Sequence, residues 1–134
     1  MTDFFDTNVF VHAFSNGPKQ EPARQMLADG GLISAQVLNE FTNVLRGKLR
    51  RSWAEIESAI ALVLSRFTEV VPLTAETHAA AVRLARDDGV SFYDALTIAA
   101  ALEGGCTKLY SEDLQHGRHF GDLVVVNPFR ESAA

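Results

Sequence analysis

Hydrophobic residues along the chain follow two kinds of pattern, and the first is a short apolar run between turn-forming residues. Such runs lie at residues 3–6, 32–34, 69–73, 108–111 and 123–126. Runs of this length predict strands. The third run contains a proline, which cannot donate a backbone hydrogen bond, so we expect that strand near a sheet edge.

The second pattern is an apolar stripe at helical spacing. It is clear where Val37, Phe41 and Val44 recur along one face, whereas the segment 91–103 is apolar on every side, which is typical of a central helix. The predicted helices cover residues 8–14, 21–28, 36–49, 75–86 and 91–103, and one more follows Ser52, which forms a capping box with Glu55. This alternation predicts an α/β fold with a central, mostly parallel sheet of four to five strands flanked by helices.

The length of 134 residues is the usual size of one domain. We therefore expect a single domain over residues 1–130, followed by a flexible C-terminal tail at residues 131–134. The alternation contains no internal repeat and no linker that would divide the chain.

Four acidic residues border or interrupt apolar segments, and they are Asp6, Glu40, Asp94 and Asp113. A carboxylate in apolar surroundings is unfavourable unless hydrogen bonds, a basic partner or a metal ion compensate it. Ligands of parallel sheets bind beyond the carboxyl ends of the strands, where Asp6 and Asp113 are predicted to stand. We therefore expect the four acids to converge on one pocket that holds a divalent cation.

Each acid also has a local interpretation. Asp6 suits the N-cap of a helix, and Glu40 could stand at the edge of its helix with the carboxylate in solvent. Asp94 completes a capping-box pattern with Ser91, and Asp113 could cap a short helix over residues 114–117. The sequence leaves these alternatives open for each acid alone, but the four together favour a metal pocket.

Short polar residues next to the acids are candidates for orienting a carboxylate or a bound water, and these are Thr7, Asn8 and Ser111. Glu112 is a weaker candidate, either as a ligand in place of Asp113 or as a supporting acid. Clustered carboxylates favour Mg²⁺ or Mn²⁺, which prefer oxygen ligands. Such a site can activate water for attack on a phosphodiester, so phosphodiester hydrolysis is the predicted reaction class.

The net charge of −5 argues mildly against a nucleic-acid partner. One compact basic segment softens that argument, and its members are Arg46, Lys48, Arg50 and Arg51. These residues either complement the C-terminus of the preceding helix or contact RNA phosphates.

The remaining reactive residues indicate no second site. The four histidines, His12, His78, His116 and His119, lack the cysteine pair or acidic motif of a zinc site, and we expect them in surface loops. Cys106 is the single cysteine, which fits a reducing cytoplasm. No apolar run approaches the roughly 20 residues that span a bilayer, and no signal peptide is evident, so we expect a cytoplasmic protein with no membrane partner.

The segments that contain the acids also carry a family resemblance. Residues 4–10 read Phe-Phe-Asp-Thr-Asn-Val-Phe, residues 36–41 Gln-Val-Leu-Asn-Glu-Phe, residues 91–96 Ser-Phe-Tyr-Asp-Ala-Leu and residues 109–115 Leu-Tyr-Ser-Glu-Asp-Leu-Gln, and Asn127 begins a final Asn-Pro-Phe. Together they resemble the PIN-domain ribonucleases, and more narrowly the VapC-type toxins of bacterial toxin–antitoxin pairs. The resemblance spans nearly the whole chain.

This resemblance implies a PIN-like α/β fold and an endoribonuclease that depends on Mg²⁺ or Mn²⁺. It implies that Asp6, Glu40, Asp94 and Asp113 are the catalytic, metal-binding acids. It also implies a homodimer, an RNA substrate and a cognate antitoxin that covers the active site. The alternative is a non-catalytic PIN-fold module that binds RNA or protein, against which the four intact acids argue.

Overall fold

The computed structural model describes residues 2–130, and these form six strands and six helices. The strands are β1 (Asp3–Phe5), β2 (Ile33–Ser34), β3 (Val70–Val71), β4 (Lys108–Tyr110), β5 (His119–Phe120) and β6 (Leu123–Val126). The helices are α1 (Thr7–Ala13), α2 (Gln20–Leu27), α3 (Ala35–Gly47), α4 (Trp53–Arg66), α5 (Ala75–Asp88) and α6 (Phe92–Glu103). The tail predicted at residues 131–134 lies outside the described residues.

The main sheet has four strands in the order β1-β4-β6-β5. The first three are parallel, and β5 runs antiparallel to β6. In the register of β1 and β4, Phe5 lies opposite Tyr110, so the residues that follow both strands emerge side by side at one edge. The predicted α/β fold with a mostly parallel sheet is confirmed.

The other two strands form a separate parallel pair, β2-β3. One parallel bridge between Phe4 and Leu32 joins this pair to β1, supported by backbone hydrogen bonds in both directions. The parallel pair therefore continues the sheet past β1 through this single bridge. Sequence analysis predicted neither this division nor strand β5.

Helix ends follow the chemistry of the sequence. Ser52 and Thr74 begin α4 and α5 with reciprocal capping boxes, and Gly89 ends α5 in the left-handed conformation. Helix α6 is buried along residues 95–101, as its all-round apolar character predicted. It packs against α5, and it also contacts β2, β3 and α3.

Two local predictions were wrong. Residues 114–117 form turns and no helix, because Gly117 N–H already donates to the Val125 carbonyl and the chain turns into β5. His12 and His78 lie within α1 and α5, and His119 begins β5, so these three histidines are not in surface loops.

The turn before β2 approaches β1 closely at Gly31, whose φ is +155°. A Cβ atom built there would lie 2.7 Å from both the Asp3 carbonyl oxygen and the Phe5 ring. Only glycine fits this contact without displacing β1. In the part of the chain that the structure describes, no helix has the length and apolar character needed to cross a membrane.

Candidate active site

Asp6 stands at the junction between β1 and α1, where it is the N-cap of the helix. Its carboxylate accepts hydrogen bonds from the Thr7 backbone N–H at 2.7 Å and from the Ser111 hydroxyl at 2.8 Å. Its own N–H donates to the Tyr110 carbonyl, which extends the β1–β4 ladder by one bond. Asp6 can therefore be both the N-cap of α1 and a metal ligand, because the cap uses only one carboxylate oxygen.

The Asp6 side chain is almost fully buried, at 5% exposure. This burial raises the pKa of Asp6 to about 7 against the hydrogen bonds from Ser111 and Thr7, which favour the ionised form. The nearby carboxylates of Glu40 and Asp113 raise it further. Asp6 is thus a buried acid beside two others, with no basic side chain bonded to it.

Glu40 reaches this region from the second turn of α3. One carboxylate oxygen accepts from the Thr7 hydroxyl at 3.1 Å, and the other accepts from the Gln36 amide at 3.1 Å. Helix α3 begins directly after β2, because Ser34 is both the last residue of that strand and the N-cap of the helix. The interpretation of Glu40 as a solvated edge residue is incomplete, because it is half-buried and linked to α1.

Asp113 is held in the loop after β4. Its carboxylate accepts from the Asn8 amide at 3.1 Å, and its backbone N–H donates to the Ser111 hydroxyl at 3.2 Å. The Asn8 side chain also accepts from the Glu112 N–H at 3.3 Å. Thr7, Asn8 and Ser111 therefore each contact at least one predicted acid.

Asp94 lies in the first turn of α6, half-buried and without a recorded contact to the other three acids. Ser91 accepts a hydrogen bond from the Asp94 backbone N–H, but the return bond that would complete a capping box is not formed. The Asp94 carboxylate is thus not committed to capping. Its nearest link to the site is Tyr93, which lines a cleft together with Glu40.

Glu112 differs from the other acids because its carboxylate is bound by two basic side chains. It accepts from His12 Nε2 at 2.6 Å and from Lys19 Nζ at 2.7 Å, and Phe129 packs against both bases. Burial alone would raise the pKa of Glu112, but the hydrogen bonds from Lys19 and His12 outweigh it and lower the pKa. No local sequence pattern indicates His12 and Lys19 as partners, since about a hundred residues separate them from Glu112.

The basic segment is divided in two. The Arg46 guanidinium stacks over Trp53 at 4.7 Å and donates to the Arg51 carbonyl, while Arg51 donates to the Phe14 carbonyl. Lys48 and Arg50 are exposed, and Arg50 adopts a left-handed conformation with φ of 54°. The structure thus brings Arg46 and Arg51 into intramolecular contacts and leaves Lys48 and Arg50 on the surface.

The donor chemistry of the site fits a divalent cation. Glu40 and Asp113 both lie near enough to Asp6 to raise its pKa, and among residues 2–130 the three carboxylates accept hydrogen bonds only from neutral groups. Between residues 2 and 130, however, no group of three or more histidine, cysteine or acidic side chains is close enough to hold a metal ion as the side chains stand. Glu40 is half-buried and Asp113 is exposed, so neither side chain is tightly enclosed.

Solved structures with the same fold come from several bacteria. VapC20 of Mycobacterium tuberculosis, a sarcin–ricin-loop-cleaving toxin, is 24% identical over 82% of this chain and 88% of its own, with a TM-score of 0.67. A toxin–antitoxin complex from Klebsiella pneumoniae matches at 20% identity over 97% of this chain and 100% of its own, with a TM-score of 0.73. VapBC2 from Rickettsia felis, bound to a DNA fragment from its promoter, matches at 19% identity over 93% and 97%, with a TM-score of 0.66.

Comparison at the level of sequence identifies the family of the chain. No curated protein sequence matches the chain. The model of the PIN domain family matches residues 4–119, a span that includes all four predicted acids. Because this match covers far more than half of its length, the chain belongs to the PIN domain family.

Proposed function

We propose that this protein is a metal-dependent endoribonuclease that hydrolyses RNA phosphodiester bonds, with Asp6, Glu40, Asp94 and Asp113 as its acidic site. One observation carries the proposal. Three of these acids come from distant parts of a PIN fold, Glu40 and Asp113 lie near enough to Asp6 to raise its pKa, and among residues 2–130 neutral donors alone hydrogen-bond them.

The proposed cofactor is Mg²⁺ or Mn²⁺, held by Asp6, Asp94 and Asp113 with Glu40. When bound, the ion supplies an activated water and neutralises charge that develops on the phosphate. The chain itself orients the acids, since Thr7 fixes Glu40, Asn8 fixes Asp113 and Ser111 fixes Asp6. Glu40 is the candidate for orienting the attacking water, because both of its oxygens contact only neutral groups.

A cleavage assay tests this proposal. Purified protein is incubated with total cellular RNA in Mg²⁺, in Mn²⁺ and in EDTA, and the new ends are sequenced. We expect cuts at defined positions with either metal and none in EDTA. Absence of cleavage with both metals, in protein that is folded by circular dichroism, would contradict the proposal.

The second candidate function is a non-catalytic PIN-fold module that binds RNA or protein. The observation that favours it is that no complete metal-ligand group is assembled among the described side chains. The two functions differ in one measurement, because a binding module would retain RNA without producing new ends in any divalent metal.

We also propose that the protein is the toxin of a toxin–antitoxin pair, acts in the cytoplasm and forms a homodimer. Two structures of similar fold are toxin–antitoxin complexes, which supports an antitoxin partner. An RNA-cleaving toxin would need such a partner to cover its site until release.

The surface offers a groove for this antitoxin between α2 and α4. Two adjoining clefts of about 390 and 480 Å³ share Phe14, Arg24 and Leu62 in their walls. Arg51 and Arg66 line them as well, and Glu55 is the one acidic residue in the two linings, so the groove is apolar with a net basic character. An amphipathic helix with acidic flanks fits this chemistry, and Leu62→Asp should weaken binding of a co-expressed antitoxin while leaving RNA cleavage intact.

A further inference from the structure

A polar cleft lies between α3 and the first turn of α6, and Glu40 forms part of its wall. It has a volume of about 450 Å³, and its walls are Gln36, Asn39, Glu40, Asn43 and Tyr93. Sites for small organic groups in proteins commonly enclose a few hundred cubic ångströms. The cleft is therefore large enough to hold one planar ring system with its hydrogen-bonding edge.

Three amide side chains form one wall of this cleft. Gln36, Asn39 and Asn43 are spaced three and four residues apart, which places them on one face of α3. Gln36 uses its amide to hold Glu40, while the Asn39 and Asn43 side chains are exposed and make no recorded hydrogen bond among residues 2–130. A carboxamide offers a donor and an acceptor side by side, which matches the edge of a nucleobase.

An aromatic ring forms the opposite wall. Tyr93 is 63% exposed, although large aromatic side chains are usually buried. Its ring contacts Phe92 edge-on at 5.7 Å, and Phe92 in turn contacts His78 at 5.4 Å. The edge-on contact leaves the face of the exposed ring available for stacking on a flat ligand.

The charge of the cleft favours a neutral occupant over a phosphate. Glu40 forms part of the wall and Asp94 follows Tyr93, so an anion would be repelled. A neutral base has no such conflict. The base must be unpaired, because pairing in an RNA helix would occupy the edge that the amides need.

We propose that this cleft binds one unpaired RNA base beside the bond that is cut, with Tyr93 stacking on its face and Asn39 and Asn43 reading its edge. The proposal rests on the proposed ribonuclease function and deepens it, because it assigns a base preference to one nucleotide of the substrate. Tyr93 and the two asparagines thereby act as specificity-determining residues.

Binding without cleavage tests the proposal most directly. Anisotropy titrations use the Asp6→Asn protein, with fluorescein-labelled single-stranded decamers of A, C, G or U and with an A–U duplex. We expect one homopolymer to bind best and the duplex to bind more weakly. Tyr93→Ala should weaken the best single strand about tenfold, whereas Tyr93→Phe should retain its affinity.

Substitution of the two asparagines should change the base preference more than the overall affinity for RNA. Asn39→Ala and Asn43→Ala are expected to reduce the difference between the best and the worst homopolymer several-fold. Leu102→Ala is the matched control, since it truncates an exposed side chain at the other end of the same helix. This control should leave every affinity unchanged.

Three outcomes would overturn the proposal. The first is that Tyr93→Ala binds and discriminates like its parent, and the second is that no single strand binds. The third is that Tyr93→Ala converts a dimer to a monomer by light scattering without changing RNA affinity, which would identify Tyr93 as a protein contact. RNA bound with a Tyr93-dependent preference but never cut by the wild type would support the cleft and refute only the nuclease.

Discussion

Asp6 and Glu112 are two acids near the same edge of the sheet, but they have different hydrogen-bond partners and opposite pKa shifts. Asp6 is bonded to a hydroxyl and a backbone N–H, and burial raises its pKa to about 7. Glu112 is bonded to Lys19 and His12, and despite partial burial its pKa is lowered. The chain supplies Glu112 with two basic partners, whereas Asp6 has no cationic partner among residues 2–130.

This difference separates a structural acid from a candidate ligand. A buried carboxylate with only neutral partners is unstable when ionised, and a cation supplied from solution is the remaining way to stabilise it. An acid that already has two basic partners gains little from such a cation. The comparison predicts that removing Asp6 abolishes function, whereas removing Glu112 mainly affects stability.

The largest expected effect is on RNA cleavage. Asp6→Asn should reduce the cleavage rate by about 1,000-fold or more, which corresponds to about 4 kcal/mol of transition-state stabilisation. Glu112→Gln is the matched control and should retain cleavage within about tenfold. The measurement is the initial rate on a labelled RNA in Mg²⁺. Equal losses of rate in the two variants would contradict the distinction between Asp6 as a ligand and Glu112 as a structural acid.

The next effect is on stability in metal-free buffer. Between about pH 4 and pH 7 the folded protein keeps the Asp6 proton that the unfolded chain releases, so the free energy of unfolding falls as pH rises through this window. The full loss is on the order of 4 kcal/mol at most. Urea unfolding in EDTA should therefore show that Asp6→Asn gains stability over the wild type between pH 5 and pH 8. A difference that is constant with pH would contradict the raised pKa.

A smaller effect is expected from metal binding. With a dissociation constant of about 1 mM, 10 mM Mg²⁺ should add about 1.4 kcal/mol of stability at pH 8, or roughly 4 °C for a chain of this size. Glu112→Gln should show the same increase, because its carboxylate is engaged elsewhere. Thermal unfolding of Asp6→Asn should show little or none, and an undiminished increase there would place the ion at another site.

The smallest effect concerns the Glu112 cluster itself. Glu112→Gln should lower the free energy of unfolding by about 1 kcal/mol, because a partly exposed pair of charge contacts is lost. The loss should shrink in 0.5 M NaCl, where such pairs are screened. A loss that is unaffected by salt would mean that packing against Phe129, and not charge, is what the cluster contributes.

The sequence was sufficient to predict the acids that follow strands. Asp6 and Asp113 came from apolar runs whose ends could be located, and parallel pairing then brings those ends together. Glu40 could be placed because its helix has a clear buried stripe. These predictions needed only local patterns and the general geometry of parallel sheets.

Other features depend on contacts between distant residues and could not be predicted. Lys19 and His12 bind Glu112 across roughly a hundred residues, and no local pattern relates them. Strand β5 is two residues long and exists only because β6 lies beside it. The incomplete cap at Asp94 was also hidden, since the sequence gives the residue types of a capping box but not which hydrogen bonds form.

Gly31 has no functional group, yet it packs closely against the strand that leads into Asp6. Any side chain there would press on the ring of Phe5, and Phe5 is joined directly to Asp6. A search for functional positions by reactive chemistry would pass over this residue. We expect the added methyl group of Gly31→Ala, more than twenty residues from Asp6 in sequence, to displace β1 and with it the buried acid, although every catalytic candidate in the sequence is unchanged.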